Sequence, residues 1–568
     1  MRKLLAGAVT LVALAACTFT ASSPANAADA PYDVLVFSKT AGFRHDAIAT
    51  GIQTIRDLGA ANSFTVTATE DANAFTTSNL SQYEAVVFLN TTGDVLNSTQ
   101  ETAFESYIRG GGGFVGVHAA ADTEYGWGFY GQLVGAYFNS HPAIQQVTSR
   151  VQDRGHASTG HLPQSWTRTD ELYNYSTNPR SSAHVLATLD ESTYSGGNMG
   201  SDHPIAWCKT IDSGRSWYTG FGHTQATYSE ANFRNHLLGG LRYASNRSKA
   251  DCRVETGYTS IYNGSTTGWS QAGPGSFTNT DATLTSTGGM GLLWYNAKQY
   301  TSYSLKADWK LTGDSNSGIF VGFPNPGNDP WVAVNQGYEI QIDATDAADR
   351  TTGAIYTFKS ADLAARDAAL NAPGEWNTYE LLVEGQRIRV YLNGRLINDF
   401  TNTDPNRNLD GYIGLQNHGA GDTAAFRNVR VKELTGQPPV SNLALNKAAT
   451  ASSTENASYP ASNAVDSSAT TRWSSAFSDP QWIRVDLGAT YNINRVRLQW
   501  EAAYGSAYQI QTSPDGNTWT TQRSITGANG GEDDHTGLSA QARYVRINGT
   551  QRATAWGYSL FAFEVYGN

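Results

Sequence analysis

Charge is scarce in this 568-residue chain: Asp, Glu, Lys and Arg make up only 16% of it, with 39 basic residues against 50 acidic ones and a net charge of -11. No run of Lys and Arg occurs, so the electrostatic footprint of a nucleic-acid binder is missing and that partner is excluded. Cysteine is rarer, at three residues. No apolar run reaches the ~18 residues that a membrane-spanning helix needs. Internal repeats and long low-complexity tracts are absent as well. What is abundant is apolar and aromatic surface: 40% hydrophobic residues, 11% aromatic, with 56 Gly, 14 Trp and 29 Tyr. That much can fill several cores, which excludes general disorder. At about 150 residues per domain the length predicts three or four domains. Low charge with many Gly and aromatics is the balance of sheet-rich secreted proteins.

Arg2-Lys3, the apolar run 4–16, Pro24 and the small-residue tripeptide Ala25-Asn26-Ala27 read as a signal peptide over 1–27. The apolar run is too short to span a ~30 Å hydrocarbon core, so the chain is expected to be secreted. Leu14-Ala15-Ala16-Cys17 offers an alternative, a lipoprotein anchored through Cys17. With the signal removed only Cys208 and Cys252 remain. Two cysteines in an exported chain pair most simply as one disulfide; the alternative is two buried free thiols.

Three regimes follow. Residues 32–245 alternate strand-like and helical patterns: strands at 32–38, 84–89 and 113–117, helices at 47–58 and 99–109. That order predicts an α/β domain with a parallel sheet and helices on both faces. Residues 254–434 hold short alternating stretches, with Asn393-Gly394 between 387–392 and 395–400 as a hairpin turn. This is the pattern of an all-β sandwich. A linker at 435–440 leads to a second all-β unit, 441–568.

Nine of the 11 His lie in the first 245 residues. His45, His118 and His223 follow apolar strand-like runs, where open α/β sheets place their sites. Ala41-Gly42-Phe43-Arg44-His45-Asp46, Gly116-Val117-His118-Ala119-Ala120-Ala121-Asp122, Gly135-Ala136-Tyr137-Phe138-Asn139-Ser140-His141-Pro142, His203-Pro204-Ile205-Ala206-Trp207 and Gly222-His223-Thr224 together resemble the trehalose-utilisation (ThuA-like) family. The resemblance implies the fold of class I glutamine amidotransferases, with His118 standing at the strand-to-helix elbow where those enzymes carry Cys. Without a thiol there, glutaminase chemistry is excluded. The first-domain candidates are His45, His118, Asp122, His141, His203 and His223. His45, His118, His141 and His223 with Asp122 or Glu171 suit a divalent transition metal, His118 and His223 foremost. They suit metal-free acid–base work on a sugar equally. No HExxH-like spacing decides between the two. Tyr125, Trp127 and Tyr130 are candidates for stacking on a sugar ring, with core packing the role of at least one.

In 338–343, period two puts Glu339, Gln341 and Asp343 on one face and Tyr338, Ile340 and Ile342 on the other. Gln416, His418 and Arg427 add polar positions. Ser317-Gly318-Ile319-Phe320, Gly337-Tyr338-Glu339-Ile340-Gln341-Ile342-Asp343, Thr352-Gly353-Ala354-Ile355-Tyr356, Gly374-Glu375-Trp376-Asn377, Gly414-Leu415-Gln416-Asn417-His418 and Phe426-Arg427-Asn428-Val429 resemble the 3-keto-disaccharide hydrolase family. The resemblance implies a concanavalin-like jelly-roll sandwich acting on glycosides oxidised at C3. A C3 ketone acidifies the C2 proton and lets the glycosidic oxygen on C1 be expelled. This chemistry needs a base, an acid and an electrophile for the enolate oxygen. Glu339, Asp343 or His418 are the acid and base candidates, and Arg427 or a metal the electrophile. Gln341 and Gln416 complete the set. An ordinary glycosidase pair is disfavoured between Glu339 and Asp343, which lie four strand positions apart, ~13 Å along the chain. The alternative for these polar residues is a solvated face.

Asn442-Leu443-Ala444, Asn463-Ala464-Val465-Asp466, Thr471-Arg472-Trp473-Ser474-Ser475, Gln481-Trp482-Ile483-Arg484-Val485-Asp486-Leu487-Gly488, Ser513-Pro514-Asp515-Gly516, Arg543-Tyr544-Val545-Arg546 and Trp556-Gly557-Tyr558-Ser559-Leu560 resemble the discoidin-like carbohydrate-binding modules. The resemblance implies a β-sandwich with a structural calcium, for which Asp466, Thr471 and Glu564 are the candidates. Ser467 stands where that family has Gly. Glu455, Glu501, Tyr504 and Trp556 are the sugar-contact candidates; Trp473, Trp482 and Trp500 are read as core.

These readings converge on a secreted carbohydrate-active enzyme that cleaves 3-keto-glycosides and is held on an oligo- or polysaccharide by its third domain. A separate sugar-3-oxidising enzyme is implied, because no nucleotide-binding glycine motif is present to supply oxidation in cis. The alternatives are a conventional glycoside hydrolase or lyase and a non-catalytic glycan-binding scaffold.

Overall fold

The computed structural model describes residues 29–434, 442–466, 468 and 470–567. The signal segment 1–27 with Cys17, the linker 435–440 and Ser467 lie outside the described residues. No described helix is long and apolar enough to cross a membrane.

The first domain is built on a nine-stranded sheet in the order Phe64–Thr69, Tyr32–Phe37, Ala85–Leu89, Gly113–Val117, Gly214–Thr219, His203–Ile211, His184–Leu189, Gln145–Val151, Ser165–Asp170. The first five pair in parallel and the rest antiparallel. The expected parallel sheet is therefore only half of what forms. The change of direction comes at Asp212-Ser213, where Asp212 has φ +52°. A two-residue turn of this kind can only join antiparallel neighbours. Helices Ile48–Ala61, Ser98–Arg109 and Ala231–Ala244 accompany the parallel half. Asn97 and Gln100 start Ser98–Arg109 with a reciprocal capping box.

The second domain is a sandwich of an eight-stranded and a five-stranded sheet. Its core is filled by Leu305, Trp309, Ile319, Ile340, Ile342, Leu381, Val390 and Leu415, contributed by both sheets. Asn393 (φ +48°) and Gly394 (φ +85°) form the tight turn between Arg387–Leu392 and Arg395–Thr401. In the third domain one connected sheet of seven strands encloses a core of Trp473, Ile483, Val496, Trp500, Tyr508, Ile547 and Phe563. Its two longest strands, Gln481–Trp500 and Glu532–Arg552, carry register shifts that bend them.

The eight-stranded sheet of the second domain packs its outer face on the first domain. Arg427 donates to Gly160 O at 3.2 Å, Arg154 pairs with Asp281 at 2.6 Å and Arg242 with Glu375 at 2.8 Å. Lys306 is buried between Asp251 and Glu255, each at 3.0 Å, on the segment that joins the two domains. A cavity of about 250 Å³ at this seam is lined by Asp153, His184, Glu255, Tyr258 and Arg430. Those charges pair with one another (His184 with Asp153 at 2.8 Å, Arg430 with Glu255), so the seam is an ion-paired joint. Cys208 and Cys252 form a disulfide with Cα atoms 5.5 Å apart.

Candidate functional site

Three parallel strands, Tyr32–Phe37, Gly113–Val117 and Gly214–Thr219, end on one side of the sheet, and the loops after them carry His45, His118 and His223. A fourth residue, Glu171, arrives from the antiparallel half directly after Ser165–Asp170. His118 Nε2 lies 3.1 Å from His223 Nδ1 and 3.3 Å from Glu171 Oε2; His223 Nδ1 lies 3.1 Å from the same oxygen. The His45 ring sits 5.1 and 5.0 Å from the His118 and His223 rings.

The local backbone is built around these side chains. His118 occupies the left-handed region (φ +48°) at the elbow between strand and 3₁₀ turn. This conformation costs roughly 1–2 kcal/mol in a non-glycine residue. It is held by Tyr218 OH donating to His118 O at 2.9 Å and by His118 Nδ1 against Gly220 O at 2.7 Å. Gly222 has φ +113°, and a Cβ there would stand 2.9 Å from Val117. Buried Asp170 accepts from Gly222 N, Thr224 N and Thr227 Oγ1, fixing the loop that carries His223. Burial, together with the neighbouring His118 and His223, pushes His45 down to about 3. Burial acts to raise Glu171, but the hydrogen bonds from His118 and His223 outweigh it and hold this carboxylate well below its usual range.

The other first-domain candidates have different places. His141, half-exposed, meets the second oxygen of Glu171 at 3.0 Å. Asp122 is engaged by Tyr125 OH at 2.6 Å rather than by a histidine. His203 does not reach the cluster: it is fully buried between Glu191 (2.8 Å) and Tyr173 O (2.8 Å). It begins a strand beyond the parallel half and ties that strand to Tyr173, two residues after Glu171. Tyr130 is core and Trp127 packs on it, while Tyr125 stays at the surface, stacked on Tyr137.

In the second domain Glu339, Gln341 and Asp343 share a face of the five-stranded sheet, and none is solvated. Glu339 is 6% exposed, and burial pushes it up to about 8, with Gln416 as its hydrogen-bonding neighbour. The room for it comes from Gly318, where a Cβ would stand 2.4 Å from Glu339 Oε1. Gln341 Oε1 and Gln416 Oε1 are buried without partners. At the rim, His418 Nδ1 is 2.8 Å from Asp422 Oδ2. Asp422 Oδ1 accepts from Asn316 N at 3.0 Å, and Asn316 donates to Asp343 at 2.9 Å. Asp343 is therefore a link in the network that orients His418. Asp422 and Asn316 went unrecognised in the sequence, where the only signal for Asp422 is its four-residue spacing from His418.

Arg427 does not join this site, contrary to the expectation from its sequence. It belongs to Ala424–Glu433 in the opposite, eight-stranded sheet, opposite Asp308, and stacks on Trp376 at 3.5 Å against the first domain. Alternation predicts the side of a strand but not the sheet to which the strand belongs, and Arg427 cannot serve as electrophile at Glu339. Among the described residues, no group of three or more metal-ligating side chains converges in the second domain.

In the third domain the backbones of Glu455 and Ser474, Ser475 and Tyr558, Glu501 and Ser559, and Tyr504 and Ala553 are hydrogen-bonded in turn, which brings Glu455, Glu501, Tyr504 and the Trp556 loop to one end of the sandwich. Trp556 is 63% exposed and meets Phe477, 45% exposed and unrecognised in the sequence, edge to face at 5.4 Å. Of the calcium candidates, Asp466 accepts from Thr471 Oγ1 at 2.7 Å and from Ser468 N, while Glu564 is ion-paired with Arg497 at 2.8 Å. Trp473 and Trp500 are core; Trp482 is only half-buried.

Comparison with known proteins follows the same division. Residues 33–244 match the family described as trehalose utilisation (ThuA), residues 257–432 the 3-keto-alpha-glucoside-1,2-lyase-like domain, and residues 448–563 the F5/8 type C domain. A polysaccharide lyase 8 family protein, HylA, of Enterococcus faecalis is 33% identical over 126 residues, 20% of this chain and 9% of that protein's length. Chitosan-binding module 1 of a chitosanase/glucanase from Paenibacillus sp. IK-5 is 56% identical, covering 22% of this chain and 99% of the module, with a TM-score of 0.22. A ThuA-like protein of Bacteroides uniformis is 24% identical, covering 39% of this chain and 95% of its own, with a TM-score of 0.35. The chain is thus built, in order, of a trehalose-utilisation (ThuA) domain, a 3-keto-alpha-glucoside-1,2-lyase-like domain and an F5/8 type C domain.

Proposed function

We propose that the chain is an exported carbohydrate-active enzyme whose second domain cleaves glycosides oxidised at C3 by elimination. The observation that carries this reading is the buried carboxyl of Glu339, pushed up by its burial, on the same face as the residues that orient a His–Asp pair, His418–Asp422. His418 takes the C2 proton, and the electron pair passes through the enolate to form the C1–C2 double bond. The C1–O bond breaks, and the leaving oxygen receives the proton of Glu339. The unpartnered Gln341 and Gln416 oxygens accept hydrogen bonds from sugar hydroxyls. A separate oxidising enzyme supplies the 3-keto sugar, and the first domain acts on a related sugar. The disulfide fits the oxidising compartment that export provides.

The test is cleavage by the purified full-length protein of 3-keto-trehalose and 3-keto-glucosides beside the unoxidised sugars. Cleavage of the keto forms alone, with a product absorbing as a conjugated enone, is the expected result. Cleavage of the parent glycans instead would place the activity with conventional hydrolases or lyases. Cleavage of neither, with glycan binding retained, would leave a scaffold.

The end of the third domain that carries Trp556 and Phe477 also displays Glu455 and Glu501, a combination suited to a chitosan-type chain, in which sugar rings stack and ammonium groups meet carboxylates. It is the ligand class named for the Paenibacillus module. Trp556→Ala is expected to weaken binding of a glucosamine oligosaccharide by about 1–2 kcal/mol, roughly 5- to 30-fold. Calorimetry on the full chain reads this directly; an unchanged affinity would move the binding surface elsewhere.

A further inference from the structure

We propose that His45, His118, His223 and Glu171 hold one divalent transition-metal ion of the zinc, cobalt, nickel or manganese class at the strand ends of the first domain. The proposal is independent of glycoside cleavage in the second.

One ligand atom from each of the four residues lies within 4.8 Å of all the others. In a tetrahedral site with bonds of 2.0–2.1 Å, neighbouring ligand atoms stand roughly 3.4 Å apart. The distances among His118 Nε2, His223 Nδ1 and Glu171 Oε2 are 3.1, 3.3 and 3.1 Å.

The orientation of His118 agrees with this. Its Nδ1 lies 2.7 Å from Gly220 O, a carbonyl that can only accept, so Nε2 is the nitrogen turned towards Glu171 and His223. A backbone carbonyl held in this way is the outer contact that orients a ligating imidazole.

His45 is 5% exposed and its Nδ1 is buried without a hydrogen-bond partner. Buried ring nitrogens are ordinarily paired, and a metal supplies the missing partner. Three imidazoles and one carboxylate form a donor set that suits borderline transition metals rather than the all-oxygen shells of calcium or magnesium. The second group of potential ligands among the described residues, His156 with Cys208 and Cys252, is spent, because the two sulfurs are bonded to each other. His141, half-exposed and bonded to the other oxygen of Glu171, is a positioning residue for the site.

The test uses the full chain, freed of metal by chelator and of any affinity tag, titrated with Co²⁺. One equivalent should bind with the intense visible absorption of a low-coordinate cobalt site, and Zn²⁺ should displace it. His223→Gln and Glu171→Gln, each with unchanged circular dichroism, should weaken binding at least 100-fold, whereas His156→Gln should leave stoichiometry and spectrum unchanged. Absence of stoichiometric uptake of Co²⁺, Zn²⁺, Ni²⁺ and Mn²⁺ would overturn the proposal. So would uptake that persists unchanged in both His223→Gln and Glu171→Gln.

Discussion

Glu339→Gln should remove most activity on a 3-keto-glucoside and at the same time make the second domain more stable. The kinetic part follows from its position: positioned proton transfer contributes typically ~10²- to 10⁴-fold, so kcat/KM should fall by that range. His418→Gln should give a loss of the same size, and Asp422→Asn a smaller one. Activity should also decline above about pH 8, where wild-type Glu339 loses the proton it must donate. The stability part follows from linkage. Burial raises this carboxyl from 4.5 to about 8. Below pH 4.5 the folded and unfolded chains both hold the proton, and the site costs nothing extra. Between the two values only the folded chain holds it, so stability falls as pH rises through this window, by on the order of 5 kcal/mol, and levels off beyond it. Glutamine cannot ionise and escapes that loss. The difference in unfolding free energy between E339Q and wild type should therefore grow from pH 5 to pH 8.5 in favour of the variant. A pH-independent difference would show that Glu339 is not a buried acid, whatever the kinetics.

The contrast between Glu339 and Arg427 shows where sequence reasoning reaches and where it stops. Alternation along 338–343 depends only on the local chain, and it places Glu339, Gln341 and Asp343 together as observed. Whether that face meets water depends on what packs above it, and there the solvated alternative fails because all three are buried. Arg427 obeys the same alternation in its own strand, but sheet membership is a long-range property, and the strand pairs with Tyr303–Leu311 on the far side of the core. The strand-end histidines were legible for a different reason: parallel strands in an α/β sheet all end on one side, so His45, His118 and His223 had to approach one another. The sequence named Asp122 or Glu171 as the carboxylate, and only the fold decides between them: Glu171 arrives from the antiparallel half, directly after Ser165–Asp170, a return that no spacing announces. Asn393-Gly394 was legible because the turn is decided by two residues that accept positive φ.

Removing the disulfide should be the most damaging single change to stability. Cys208 sits on the interior strand His203–Ile211 and Cys252 lies beyond the last helix of the first domain, 44 residues away in sequence. Closing a loop of that length restricts the unfolded chain by about 4 kcal/mol in the loop-entropy account. In a domain of this size each kcal/mol moves Tm by ~2–4 °C, so a Cys208→Ser, Cys252→Ser chain should unfold roughly 8–16 °C lower. The folded state adds to the effect. Asp251, beside Cys252, holds the buried ammonium of Lys306 together with Glu255, so loosening this segment leaves a charge of the second domain short of its partners. The two contributions separate in one experiment. A reductant acting on the wild type removes the covalent tether and should reproduce the whole shift. Lys306→Met in the intact disulfide protein alters only the ion pair and should move the transition by less. A reduced protein that melts with the oxidised one would mean that the packing of the strand and the joining segment holds this joint without the bond.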